Sequence, residues 1–202
     1  MDDRKDTILY GALAASTAGF VMVAPPAALP ATSVTPASGF AQHAAMFFSG
    51  LFHPAALLIL ALGGALYLRA LGRRNLSVIA GCAVSLTALL AVSLKYVFGT
   101  PRPDSGLVPA AGPSFPSAHA AVSVIVAILF AYAFSVLHKK QRIDRAVTIV
   151  VGAIAGAVVW SRLALGVHWP RDLWGGVFLG VAVASLALII YARIHVSRSK
   201  NP

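Results

Sequence analysis

Two histidines, one aspartate and four cations stand where they could handle a phosphate ester: His119, His168, Asp172, Lys95, Arg102, Arg162 and Arg171. They fall into three short clusters. In the first, which runs from Lys95 to Pro103, Pro101 and Pro103 block helix continuation and hold Arg102 on a stiff turn. Arginine offers a planar fork to phosphate oxygens and lysine a mobile point charge, so the pair suits one shared anion. In the second, Pro116-Ser117-Ala118-His119, a proline followed by serine and small residues is a helix start. The free N–H groups and positive dipole end of a helix N-terminus suit a phosphate. Ser117 adds a hydroxyl donor, and His119 in the first turn is positioned to protonate a leaving oxygen. In the third, which runs from Ser161 to Asp172, Arg162 supplies another cation and Pro170 suits the first position of a helix. A turn there brings the Asp172 carboxylate to the His168 imidazole. That contact would fix the ring's tautomer and leave its other nitrogen as a nucleophile.

Taken singly, each cluster also has a structural reading. Lys95 could reach up a helix to the membrane surface, His119 could be an ordinary interfacial histidine, and His168 with Asp172 could be a helix-capping pair. Trp169 and Trp174 read as interfacial anchors. Asp104 reads as a turn residue. Arg171 either steers an anionic substrate or meets lipid headgroups.

The elements that must carry these clusters are set by composition. The 202 residues are 58% hydrophobic and 11% charged, against about 25% charged in soluble domains. The chain is therefore expected to be membrane-embedded, as one domain over residues 1–202. Six apolar runs appear: Ile8–Ala24, Ala55–Leu68, Leu76–Phe98, Ala118–Leu137, Ala146–Trp160 and Leu173–Tyr191. They are continuous rather than alternating and rich in Ala and Leu, which argues for helices over strands. A span needs about 20 residues. The second run is therefore expected to begin near Phe52 and the fifth to extend towards Leu165. The first run also resembles a signal peptide, with small residues in Pro25–Ala31. Its leader carries Asp2, Asp3 and Asp6 against Arg4 and Lys5, a poor positive start, so a retained helix is expected. The expected architecture is an all-α bundle of six transmembrane helices.

The net charge of +10 would suggest nucleic acid in a soluble protein. Here the cations fall in short loops between apolar runs, so membrane orientation explains them and no nucleic-acid partner is expected. With a cytoplasmic N-terminus, 12 of the 16 Lys and Arg residues lie inside, Lys139 and Lys140 among them. The four exceptions are Lys95, Arg102, Arg162 and Arg171. The C-terminus is then cytoplasmic too, and the three clusters share the non-cytoplasmic face. The outward stretch Pro25–Pro54 carries no Lys or Arg. Its Phe40, Met46, Phe47, Phe48, Leu51 and Phe52 form either a short interfacial helix or an irregular loop. The one cysteine, Cys82, lies in an apolar run and has no partner for an intrachain disulfide.

The three clusters together resemble the signature of the type 2 phosphatidic acid phosphatases, Lys-x6-Arg-Pro, Pro-Ser-Gly-His and Ser-Arg-x5-His-x3-Asp. The matching residues are Lys95 with Arg102 and Pro103, Pro116 and Ser117 with His119, and Ser161 and Arg162 with His168 and Asp172. Ala118 stands at the motif's glycine, and its single methyl is expected to reshape the phosphate cradle slightly without abolishing activity. The six-helix layout resembles the family too.

The resemblance implies that His168 attacks phosphorus to form a phosphohistidine and that Asp172 orients it. It also implies that His119 serves as general acid and then base. Lys95, Arg102, Arg162, Ser117 and the amides near His119, with Ala118 in that cradle, would hold the phosphate oxygens. No metal and no cofactor enter this scheme. The implied substrate is a membrane lipid phosphate or diphosphate: undecaprenyl diphosphate, phosphatidylglycerol phosphate, phosphatidic acid or a lipid A phosphate. The implied location is the cytoplasmic (inner) membrane, with the site facing the periplasmic side. The stretch Gly106–Phe115 is expected to shape the entrance. A lipid phosphotransferase using the same site, or a non-catalytic lipid-binding or transport protein, are the other readings.

Overall fold

A computed structural model describes residues 3–24, 34–138 and 141–200. The small-residue stretch Pro25–Ala31 and the pair Lys139 and Lys140 lie outside the described residues. Seven helices follow one another: α1 Asp3–Val23, α2 Gly39–Leu51, α3 Pro54–Ala70, α4 Arg74–Phe98, α5 Ala118–His138, α6 Gln141–Ala164 and α7 Pro170–Lys200. The six predicted apolar runs fall on α1 and α3 to α7. The aromatic segment whose form the sequence left open is the helix α2.

Length and hydropathy sort these helices. Among the described residues, Arg74–Phe98, Ala118–His138, Gln141–Ala164 and Pro170–Ile194 are each long and apolar enough to cross a membrane. A fifth crossing arises if α2 and α3, bent by 45° at their junction, count as one span. The apolar part of α1, Thr7–Val23, falls short of that length. The bend has a local cause. Pro54 opens α3 without an N–H to continue α2, and the His53 ring accepts from the Ala55 N–H at 3.2 Å as a helix cap. The second run therefore starts at Pro54, two residues after the expected Phe52. The fifth is longer than its apolar stretch, because α6 gains a polar first turn from Gln141 and runs on to Ala164.

The helix α5 is central, packing on α3, α4, α6 and α7, while α1 lies along α7 and α2 lies on α6. Its Ala121, Val122, Ile125 and Leu129 bury against Val84 and Ala91 of α4 and Leu179, Val183 and Ala184 of α7. The α5–α7 contact is unusually close. A Cβ on Gly176 would lie 2.5 Å from the Ser117 carbonyl oxygen, and one on Gly180 would lie 2.7 Å from that of Ala121. This Gly-x-x-x-Gly pair lets the backbones touch where apolar lipid gives no hydrophobic drive to associate. It also fixes the first turn of α7 beside the first turn of α5.

Candidate functional site

Alternating helix directions gather the three clusters at one end of the bundle. Lys95 lies in the last turn of α4, His119 in the first turn of α5, Arg162 in the last turn of α6 and Asp172 in the first turn of α7. The chain leaves α4 through Gly99, in the left-handed region at φ 58°, whose N–H caps the Lys95 carbonyl at 2.8 Å. It leaves α6 through a tight turn in which the Val167 N–H reaches back to the Arg162 carbonyl at 3.3 Å. That turn folds His168 back towards the bundle, where it is 2% exposed.

His168 and Asp172 meet as the spacing predicted. The ring Nδ1 lies 3.2 Å from Asp172 Oδ2, and the carboxylate is fully buried. The same Oδ2 accepts the Trp169 backbone N–H at 2.9 Å. Asp172 is the third residue of α7 and Trp169 precedes its first, so the carboxylate also reaches back to an N–H at the helix start, one half of a capping box. The carboxylate therefore contacts the imidazole and the start of the helix at once. With Nδ1–H donating to the carboxylate, the Nε2 lone pair is free, and it faces Arg102 Nη1 at 3.4 Å. Burial is the main effect on the His168 imidazole and pulls its pKa down to about 4; the Asp172 hydrogen bond and charge oppose it, while Lys95 and Arg102 add to the fall. The ring is neutral across the ordinary pH range.

Lys95 and Arg102 are held by backbone carbonyls. Arg102 donates from Nη1 to the Val167 carbonyl at 2.8 Å, from Nε to that of Gly112 at 2.9 Å and from Nη2 to that of Ala111 at 3.1 Å. Burial lowers its pKa from the usual arginine value, and Asp172 counters part of that. Lys95 Nζ donates to the carbonyls of Pro113 at 2.8 Å and Ser114 at 3.3 Å. Lys95 and Arg102 thus converge on one stretch, residues 111–114, within the loop expected to shape the entrance. Lys95 also lies within electrostatic reach of Arg162 and Asp172.

Arg162 is buried, and its Nη1 donates to Ser49 Oγ of α2. Its Nε is buried without a hydrogen-bond partner, as is His119 Nε2. His119 lies within electrostatic reach of Arg162, His53, His168 and Lys95, so the second cluster joins the other two. Ser117 is fully buried; its N–H donates to the Asp172 carbonyl at 2.9 Å, and its Oγ lies 3.5 Å from the Ala120 N–H. Ala118 is half-buried at the start of α5.

Two neighbours escaped the sequence reading, and a third was read only in part. Ser49 had no signal beyond its place in an outward segment. His53 packs edge-on against His119 with ring centroids 5.2 Å apart. A histidine immediately before the helix-opening Pro54 was the signal available for it. Trp169 is more than an interfacial anchor, since its indole N–H donates to the Pro101 carbonyl at 2.9 Å and ties the first cluster to the third. Trp174 is exposed on α7. Asp104 sits in a turn and is exposed. Arg171 is half-buried, and its Nε and Nη2 lack hydrogen-bond partners. No group of three or more His, Cys, Asp or Glu side chains placed to hold a metal ion occurs among the described residues.

Fold and site together define an integral membrane helical bundle with imidazoles, a carboxylate and cations collected at one end. The chain belongs to the PAP2 superfamily, which it matches over residues 76–195, a stretch containing all three clusters. It is 31% identical over 125 residues to YbjG of Escherichia coli (strain K12), named as a candidate undecaprenyl-diphosphatase; the match covers 59% of each chain. It is 32% identical over 124 residues to a lipid A 1-phosphatase of Rhizobium etli, covering 54% of this chain and 48% of that one. The chain thus spans roughly half to three-fifths of the length of these relatives. In fold it resembles the crystal structure of a transmembrane PAP2-type phosphatidylglycerolphosphate phosphatase from Bacillus subtilis. That similarity has a TM-score of 0.69 at 23% identity and covers 93% of this chain and 88% of the other.

Proposed function

We propose that the chain is a membrane lipid phosphatase that hydrolyses a lipid phosphate or diphosphate through a phosphohistidine on His168. The observation that carries this reading is the state of the His168 ring. Nδ1 is engaged by a buried carboxylate, and Nε2 is turned towards a guanidinium 3.4 Å away. A phosphate oxygen arriving there would take over the Arg102 N–H and leave the Nε2 lone pair aimed at phosphorus. An N–P bond forms as the P–O bond to the leaving group breaks, and His119 gives that oxygen its proton. Water then attacks phosphorus with His119 as base, the N–P bond breaks, and inorganic phosphate departs. Asp172 steadies the ring as it becomes positively charged. Lys95, Arg102, Arg162 and Ser117, with the amides around Ala118, hold the oxygens whose charge grows in the transition state. The partnerless donors of Arg162 and His119 support this, since a bound phosphate would satisfy both.

In this reading residues 1–202 act as one domain that crosses the inner membrane six times, with α1 and the bent α2–α3 pair each as one crossing. The site faces the periplasm, and both termini are cytoplasmic. The charge pattern supports that orientation: Arg69, Arg73, Arg74, Arg142, Arg145 and Arg193 lie towards the opposite ends of the helices. The names of the relatives and of the similar structure, which refer to undecaprenyl diphosphate, lipid A and phosphatidylglycerol phosphate, support a lipid substrate. The chemistry is metal-independent and needs no cofactor. The test is purified full chain in detergent against a panel of lipid phosphates, with free phosphate as readout and His168→Ala as comparison. Phosphate release that His168→Ala abolishes, with an unchanged thermal transition, is expected. Full activity in that variant would remove the nucleophile assignment, and label passed from donor to a second lipid instead of water would make the protein a phosphotransferase.

A further inference from the structure

His119 is the least restrained of the groups assigned to the chemistry. Lys95 and Arg102 are held by carbonyls and His168 by Asp172. The His119 ring makes no hydrogen bond among the described residues, and its Nε2 is buried without a partner. A general acid must still point at one oxygen, because proton transfer needs hydrogen-bond distance and direction. What packs on this ring is His53, edge-on, with centroids 5.2 Å apart and planes at 88°. Edge-to-face pairs are a favoured arrangement of planar rings, so the contact sets the plane of His119.

His53 is itself fixed. Its Nδ1 accepts the Ala55 N–H at 3.2 Å, its own N–H donates to the Gly50 carbonyl at 3.3 Å, and Pro54 follows directly. The segment that carries it is anchored to the site twice more. Ala45 of α2 buries against Ala164, Leu165 and Val167 at the end of α6 and the turn after it, and Ser49 accepts from the buried Arg162. Ser49 and His53 both precede residue 76, where the family match begins, and both stand outside the three clusters. Resting on the proposed phosphatase reading, we propose that His53 is a positioning residue for the general acid. Its ring, locked by the α3 cap, holds the His119 ring in the plane from which it protonates the leaving oxygen.

Losing this contact should weaken acid catalysis and leave the nucleophile and the phosphate-holding groups in place. An alkoxide leaving group needs the proton, whereas p-nitrophenolate departs as a stable anion without one. Loss of the contact therefore separates substrates by leaving group. His53→Asn suits the test, because asparagine is a favoured helix cap and can keep the Ala55 bond while removing the ring. His53→Ser, which also caps, is the second variant. The full chain in detergent would be assayed for kcat/KM, which covers the step that forms the phosphohistidine. The probes are two alkyl esters, phosphatidic acid and phosphatidylglycerol phosphate, and the aryl ester p-nitrophenyl phosphate. Complete loss of a general acid costs about 10²–10⁴-fold, so a misaimed one should cost the alkyl esters about tenfold or more and the aryl ester less than about threefold. In a His119→Ala background the further effect of His53→Asn on the alkyl esters should be less than about twofold, since residues that act through one group are not additive. His43→Asn, at an exposed histidine of α2, should match the wild type. Equal falls for alkyl and aryl esters, no fall for either, or an undiminished fall in the His119→Ala background would overturn the role of His53 while leaving a phosphatase. A wild type that cleaves the aryl ester alone would overturn a general acid in this site, and the role of His53 with it. Phosphate release from none of the three would remove the phosphatase reading itself.

Discussion

Replacing Asp172 with asparagine separates the charge of this residue from its shape. Asp172 Oδ2 accepts from the Trp169 N–H at 2.9 Å and lies 3.2 Å from His168 Nδ1, in a fully buried position. The near-isosteric amide can keep the helix cap through its oxygen, so folding should survive. What it loses is a negative charge beside an imidazole that becomes cationic when phosphorylated. The lower bound is the loss of a charge-assisted hydrogen bond, about 2 kcal/mol. The upper bound is the unit-charge attraction at 3.2 Å and an effective dielectric of 20, about 5 kcal/mol. At about 1.4 kcal/mol per tenfold, kcat should fall roughly 30- to 5,000-fold. A second readout follows from titration. His168 must be neutral to attack, and its pKa of about 4 sets the acid limb of kcat/KM near that pH. Asp172 acts to raise that pKa, so its removal should move the limb to lower pH. The assay is phosphate release from a lipid diphosphate in detergent between pH 3 and 8, with thermal unfolding of both proteins. Wild-type kcat in Asp172→Asn, or an acid limb displaced upward, would refute the reasoning.

Activity should persist in excess EDTA and be inhibited by orthovanadate, a trigonal-bipyramidal phosphorus mimic; loss in EDTA that Mg²⁺ or Zn²⁺ restores would overturn the metal-free scheme. Gly176→Ala drives a methyl to 2.5 Å from the Ser117 carbonyl and 2.7 Å from the Ala120 Cβ, so it should lower stability by about 1–3 kcal/mol and reduce kcat by spreading α5 from α7; an unchanged melting temperature would contradict that close contact. Because the His168 pKa is lowered on folding, the unfolded chain binds this proton first. Stability should therefore fall as pH drops from about 6.5 towards about 4, and His168→Ala should blunt that slope in a thermal-melt series.

The sequence alone determined the helical class, the approximate positions of the apolar helices and the shared end of the three clusters. These properties are local. Hydropathy marks each apolar run, prolines and glycines mark the ends, and alternating direction sends Lys95, His119, Arg162 and Asp172 to the same side. The contact between His168 and Asp172 was legible for the same reason, since four residues at a helix start are within reach of each other.

Tertiary packing decided which distant groups meet. Arg162 reaches Ser49 across 113 residues, His53 at the α2–α3 bend meets His119 of α5, and Trp169 binds Pro101 from 68 residues away. The carbonyls at 111–114 that engage Lys95 and Arg102 are equally invisible in the order of residue types. Hydropathy says that a helix enters the bilayer but not which neighbour it touches. That choice depends on matched surfaces such as Gly176 against Ser117, which exist only once the helices are side by side.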